Sequence, residues 1–168
     1  MLVKGRMHSG AAQHGGGTAM IVPLKHTAYH EAGHAVMALR LGYEVRKVTI
    51  VRRQGVLGKA EIRNRTSPDD IRIDLAGALA EALVNPNDEQ IQLGALSDWR
   101  NVRRSTREFV ALGFIGDQEG DILIEELLQE TRALVRRDKA AITKVAEALL
   151  EHKTLTGDDV KHIVEAVR

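Results

Sequence analysis

Two histidines four residues apart, with a glutamate directly after the first, form the segment of this chain best suited to chemistry. They are His30, Glu31 and His34 in the sequence HEAGH. On a helix, residues four apart share one face with Cβ atoms about 5–6 Å apart, so both imidazoles can reach one zinc ion. Glu31 is offset around the helix and would lie beside the metal, where it can accept a proton from water. The spacing therefore predicts a zinc site with Glu31 as general base.

The same motif also has a plain structural interpretation as a pair of surface or core histidines, since HExxH occurs by chance in unrelated chains. Its context favours the metal site, because Ala35, Val36, Ala38 and Leu39 follow it and would give the helix the buried, rigid support that a zinc site needs. Gly33 lies inside the motif and costs a helix about 1 kcal/mol relative to Ala. This glycine indicates that another segment approaches the helix closely.

A catalytic zinc site needs a third protein ligand, and the motif does not supply it. The chain has no Cys, and no His follows at the short spacing that completes a metzincin site. The remaining candidates are downstream carboxylates, namely Asp74, Glu81, Asp88, Glu89 and Asp98. Asp98 could equally be an acidic residue stabilising a helix N-terminus. Chemistry alone leaves the choice among these five residues open.

The elements that would position these residues are mainly α-helical, with a small β hairpin. Thr27 is a plausible N-cap for the motif helix, and Gly42 can supply a left-handed C-terminal position. A capping box from Thr156 to Asp159 predicts a last helix that ends at Arg168. The expected helices are 27–41, 68–84 with Ser67 as cap, 97–111 and several turns beyond 120; the expected strands are 45–51 and 56–62.

Composition predicts one domain over residues 21–168 after a Gly-rich, disordered tail over residues 1–20. The formal net charge is only +1, so nucleic acid is not an expected partner. The arginines of RNVRRSTR are interpreted as a solvated helix face. No apolar run approaches 18 residues and no secretory signal is recognisable, which predicts a cytoplasmic protein without a membrane span.

Several segments resemble the peptidase domain of the FtsH family, the ATP-dependent membrane zinc proteases. TAYHEAGHAVMAL resembles that family's metal-binding helix, and VRKVTIVRR resembles the strand after it. AGALAEAL is a looser form of its Gly-Arg-x-Ala-Glu-Glu helix, and GALSDWRNVRRSTREFV resembles its Gly-Ala-x-x-Asp segment. LLEHKTLTGDDVKHIV is similar to its C-terminal helical end. These segments follow the family's order and cover most of residues 24–168.

The resemblance implies a zincin-like, FtsH-type peptidase domain that binds a zinc ion. It assigns His30, His34 and Asp98 as metal ligands and Glu31 as catalytic base, and it implies that the helix carrying Asp98 packs beside Gly33. Two family residues are replaced here, by Ala78 and Ala82. The sequence also contains no G-x-x-x-x-G-K-[ST] motif, so ATP-driven unfolding is not carried over from the family.

The function expected from these features is zinc-dependent hydrolysis of peptide bonds in unfolded or short polypeptides. Two alternatives stay open: a non-catalytic metal-binding interaction module, and a peptidase subunit that depends on a separate ATPase. A homo-oligomer is compatible with either. The strand over 56–62 is expected to be an edge that pairs with an extended substrate, with apolar pockets setting any preference. Gly58 would allow close approach of the substrate, or would simply form a bulge or turn.

Overall fold

The computed structural model describes residues 23–52, 58–63, 68–84 and 91–167, with the backbone alone for 91–97 and 117. The expected mainly helical fold with a small β element is confirmed, although the sheet has three strands where a hairpin was expected. In chain order the elements are α1 (Leu24–Arg40), β1 (Val45–Thr49), β2 (Lys59–Ile62), α2 (Asp69–Glu81), α3 (Ile91–Ala111), α4 (Asp117–Arg137), α5 (Lys139–His152), β3 (Thr154–Thr156) and α6 (Gly157–Ala166).

Helix α1 is the centre of the main hydrophobic core. It packs against α2, α5 and β1, and its apolar residues from Ala28 to Ala38 are buried. It begins directly after Pro23, so the expectation that Thr27 is its N-cap is wrong; Thr27 is buried one turn inside. Proline fixes a backbone φ that suits a helix start, so the helix begins right after Pro23, before the hydroxyl of Thr27 could act as a cap. Gly42 adopts the expected left-handed conformation, with φ at +86°.

The sheet is antiparallel with the order β2-β1-β3, so β2 is an edge strand, as expected. The third strand escaped prediction because it has three residues, of which only Leu155 is buried. The capping box that follows it is present, with Thr156 Oγ1 accepting from the backbone N–H of Asp159. Strand β1 is two residues shorter than expected, and residues 53–57 and Ser67 lie outside the described residues.

Helices α2, α3 and α4 share a second, smaller apolar cluster. Ile71, Leu75, Val102 and Leu127 are buried in it, and Trp99 and Phe109 pack around them. Helix α3 begins at Ile91, six residues before the expected start, and α6 ends at Ala166. Throughout the described ranges, no helix combines the length and the apolarity that a membrane span requires.

Candidate metal centre

The close approach indicated by Gly33 is made by α2. A Cβ atom at Gly33 would lie 2.5 Å from the carbonyl oxygen of Ala76 and 2.6 Å from Cβ of Ala80. The expectation that the helix carrying Asp98 packs beside Gly33 is therefore wrong. A glycine in a helix predicts a close neighbour but contains no signal for which element that neighbour is.

Helix α2 also fixes the orientation of both imidazoles of the motif. His34 Nδ1 lies 2.7 Å from the carbonyl oxygen of Ile73, and His30 Nδ1 lies 3.2 Å from Oε2 of Glu81. Because both acceptors are oxygens, each Nδ1 carries the proton and donates it. This leaves the two Nε2 atoms, which lie 3.1 Å apart, as the ring nitrogens that can offer lone pairs to a metal once they have lost their protons. The arrangement is the usual way in which proteins prepare histidines for a metal.

Asp98, near the middle of α3, brings a carboxylate to the same point. Its Oδ2 lies 2.9 Å from Nε2 of His30 and 3.5 Å from Nε2 of His34. This oxygen is buried and makes no hydrogen bond of good geometry among the described residues. Two ligands about 2.0–2.1 Å from a tetrahedral zinc ion would be about 3.3 Å apart, so the three donor distances fit one ion.

The other carboxylates considered as third ligands lie elsewhere. Glu81 is only 2% exposed and contacts the Nδ1 side of His30, on the opposite edge of the ring from Nε2. Asp74 is buried and lines the neighbouring cleft, but it is not part of the cluster formed by the two histidines and Asp98. Asp88 and Glu89 lie outside the described residues. Among the described carboxylates, only that of Asp98 joins the two Nε2 atoms.

Gly77 contributes to this centre, and sequence reasoning missed it. A Cβ atom there would overlap the imidazole of His34 and would lie 3.0 Å from Nε2 of His30. Gly77 and Glu81 are four residues apart on α2, as His30 and His34 are on α1, so both pairs present one helix face to the other. This matched spacing is the signal in the sequence that could have revealed the role of Gly77.

Glu31 lies at the wall between the histidines and the sheet. Its side chain is buried, and its carboxylate accepts a hydrogen bond from the backbone N–H of Ala60 in β2. A Cβ atom at Gly58 would lie 2.7 Å from Oε1 of Glu31 and 2.8 Å from Cγ2 of Thr27. Gly58 is thus needed to let β2 approach Glu31, a structural role that differs from the suggested contact with a substrate.

A cleft of about 490 Å³ opens over these residues, between β2 and the helices. Residues 58–63 form one wall, and the imidazoles, Glu31 and Asp98 form its base. Of the side chains that β2 contributes, only those of Ala60 and Ile62 are apolar. Apolar pockets were expected to set substrate preference, but the described lining is mostly charged and polar.

The buried charges in the centre stabilise one another. Burial alone would lower the pKa of both histidines, but Asp98 outweighs it, raising the pKa of His34 and, together with Glu81, that of His30 to about 10. Burial alone would raise the pKa of Asp98, but the two imidazoles hold it well below its usual range. Burial raises the pKa of Glu31. An anionic oxygen that stabilises an imidazolium would equally stabilise a metal cation placed among the same atoms.

Comparisons with known proteins show which family the chain belongs to. The model of peptidase family M41 matches residues 23–116. The ATP-dependent zinc metalloprotease FtsH of Thermus thermophilus is 29% identical over 183 aligned positions, which cover 84% of this chain and 29% of that protein. FTSH 11, chloroplastic/mitochondrial, of Arabidopsis thaliana is 26% identical, with 83% and 21% covered. FtsH of Veillonella parvula is 35% identical over 113 positions, with 61% and 17% covered.

The chain thus spans less than a third of the length of these curated relatives. These relatives are named as zinc metalloproteases, and the region that the family model matches contains the histidine motif, the glycine-bearing helix α2 and Asp98. Since the family model covers more than half of the 168 residues, this chain belongs to peptidase family M41.

Proposed function

We propose that this chain is a zinc-dependent metallopeptidase domain that hydrolyses peptide bonds of unfolded or short polypeptides. The observation that supports it most is the convergence of His30 Nε2, His34 Nε2 and Asp98 Oδ2, with donor separations of 2.9–3.5 Å. Glu31 sits beside this cluster at the base of an open cleft. A purely structural histidine pair would need neither the shared anionic oxygen nor the access to solvent.

In this proposal His30, His34 and Asp98 hold the zinc ion. Zinc bound there would act as a Lewis acid that polarises the peptide carbonyl and makes water a better nucleophile. The carbonyl of Ile73 and the carboxylate of Glu81 accept hydrogen bonds from the two Nδ1–H groups, and this would leave both Nε2 atoms available to the ion. Asp98 supplies the negative charge that partly neutralises the cation.

Glu31 is the general base and then the general acid. It accepts a proton as the water oxygen bonds to the peptide carbon, and it gives this proton to the amide nitrogen as the carbon–nitrogen bond breaks. Burial raises its pKa, which brings it closer to the range in which a carboxyl group can both accept and release a proton. The hydrogen bond from the Ala60 N–H holds its carboxylate at the base of the cleft.

The edge of β2 is the proposed site for the substrate backbone. The N–H of Ala60 points to Glu31 and therefore away from β1, and residues alternate in direction along an antiparallel strand. Ile62 accordingly directs its backbone N–H and C=O to the open edge, while the N–H of Arg63 bonds to Glu44 on the β1 side. An extended chain can pair with these outward groups by strand addition.

The test is hydrolysis of an unfolded protein and of short peptides by the zinc-loaded wild type and by Glu31→Gln. The variant should retain zinc and the fold but lose hydrolysis by at least about a hundredfold. Glu165→Gln, an exposed change on α6, is the matched control and should keep full activity. Equal activity of wild type and Glu31→Gln, or loss of zinc together with activity, would contradict the assigned role.

A second candidate is a peptidase that needs a separate ATPase. The relatives are named ATP-dependent, and this chain spans less than a third of their length. The two candidates differ in whether cleavage needs an ATPase. A peptidase that is sufficient by itself cleaves short or unfolded chains without ATP. Cleavage that appears only after an ATPase is added would favour the second candidate.

A further inference from the structure

A β-bulge directs Arg46 into the cleft. Val45 of β1 pairs with Ile62 and Lys47 pairs with Glu61, so Arg46 is an extra residue without a partner on β2. A bulge of this kind commonly re-aims a side chain beside an active site. Arg46 is exposed and lines the same cleft as His30, Glu31 and Asp98.

The bulge is held in place by the C-terminal helix. A Cβ atom at Gly157, the first residue of α6, would overlap the carbonyl oxygen of Val45 and lie 3.5 Å from Cα of Arg46. The backbone of α6 thus lies directly against the carbonyl of Val45, the residue before the bulged Arg46. The backbone that carries Arg46 is therefore held by packing against α6.

Arg46 differs from the other cations of the cleft wall in its partners. Arg63 is 3.3 Å from a carboxylate oxygen of Glu44, and Lys59 lies 3.7 Å from Glu61. Glu61 is also shared by Lys47, at 3.5 Å. Within the described ranges no carboxylate pairs with Arg46. The wall therefore carries surplus positive charge at the bulge.

We propose that this cleft prefers polypeptides with an acidic side chain close to the scissile bond, and that Arg46 recognises the carboxylate. The inference rests on the proposed peptidase function. Ala60 contacts Glu31, and Ile62, two residues along β2, lies opposite the bulge. Two residues of a strand span about 7 Å, so the acidic side chain would lie within about two residues of the bond that is cut. A guanidinium is suited to this task because it can bind a carboxylate with two parallel hydrogen bonds.

The experiment uses peptides with blocked termini that carry Glu, Gln or Lys at each position around one cleavage site. We expect wild type to show a three- to fivefold higher kcat/KM for Glu than for Gln at one position, at low ionic strength, as is typical of partly solvated ion pairs. Added salt should reduce this ratio. Arg46→Gln should abolish the preference for Glu over Gln, and Arg46→Glu should give a preference for Lys. Arg136→Gln, which removes the same charge from an exposed position on α4 outside the cleft lining, should change nothing.

Binding measured without cleavage separates this inference from the proposed function. Zinc-loaded Glu31→Gln, alone and combined with Arg46→Gln, is titrated with the same labelled peptides and followed by fluorescence anisotropy. An Arg46-dependent preference for Glu in binding, with no cleavage by wild type, would support the inference and sink the peptidase proposal. Cleavage without any such preference would overturn the inference alone. Absence of binding to every peptide, or a preference that survives in Arg46→Gln, would also overturn it.

Discussion

The histidine pair and Asp98 meet at one point but are held there in different ways. Both imidazoles stand on α1, a helix buried along most of its length, and each Nδ1 has its own oxygen partner on α2. Asp98 stands on α3, which packs on α2 and α4, and its Oδ2 has the two imidazoles as its described neighbours. We call His30 and His34 the histidine half of the centre and Asp98 the aspartate half. Contacts within the protein orient the histidine half, whereas the position of the aspartate half depends on the group that lies between its carboxylate and the imidazoles.

The largest effect is expected from disturbing the histidine half at Gly77. In Gly77→Ala the new methyl group would meet the imidazole of His34, which the carbonyl of Ile73 holds in place. The ring must move and lose that hydrogen bond, so zinc affinity should fall by up to about a hundredfold. Zinc affinity measured by competition with a chelating dye checks this. Gly116→Ala is the control, because a Cβ atom at that position has ordinary contacts. Equal zinc affinities of the two variants would contradict the claim that α2 orients the histidines.

A smaller effect is expected from Glu81→Gln. The amide keeps an oxygen that can accept from His30 Nδ1 but loses the negative charge next to that ring, and also next to His26, whose Nδ1 is 3.5 Å away. Zinc affinity should fall by about tenfold, while Asp98 and Glu31 are untouched. Isothermal titration of zinc into the wild type, this variant and Glu147→Gln on α5 would measure it. A loss of zinc as complete as in Asp98→Ala would instead indicate that Glu81 is a ligand.

The smallest effect concerns the aspartate half and appears on metal removal. Chelation should raise amide hydrogen exchange around Asp98 on α3 several-fold, and should change exchange in α1 around His30 and His34 much less. The reason is that α1 and α2 keep their packing at Gly33 and their Nδ1 contacts without the ion. Mass-spectrometric exchange of the zinc-loaded and chelated protein compares the two helices. Similar changes in both would mean that the histidine half is not pre-oriented.

The same contrast explains what the sequence could reveal. The motif helix, the β1–β2 hairpin and the Thr156 capping box are local patterns, so they were predictable from spacing, β-branched residues and hydroxyl caps. Three-residue β3 has no pattern of its own, since its pairing with Lys47 to Thr49 joins segments more than 100 residues apart. It follows from tertiary structure alone.

For the site, His30, Glu31 and His34 follow from one helical spacing. The residue types and spacings gave five carboxylates and no means of choosing, and the choice of Asp98 came only from the resemblance to a family. Gly33 correctly indicated a close approach but was matched to the wrong helix. Gly77 and Arg46 went unnoticed because their roles depend on α2 facing α1 and on a bulge beneath α6.

The most direct test of the central claim is the position of zinc in crystals of the metal-loaded protein, located by anomalous scattering at the zinc edge. We predict one ion per chain, about 2.0–2.2 Å from Nε2 of His30, Nε2 of His34 and a carboxylate oxygen of Asp98. Occupation of the third position by Asp74 or Glu81, with Asp98 turned away, would contradict the account.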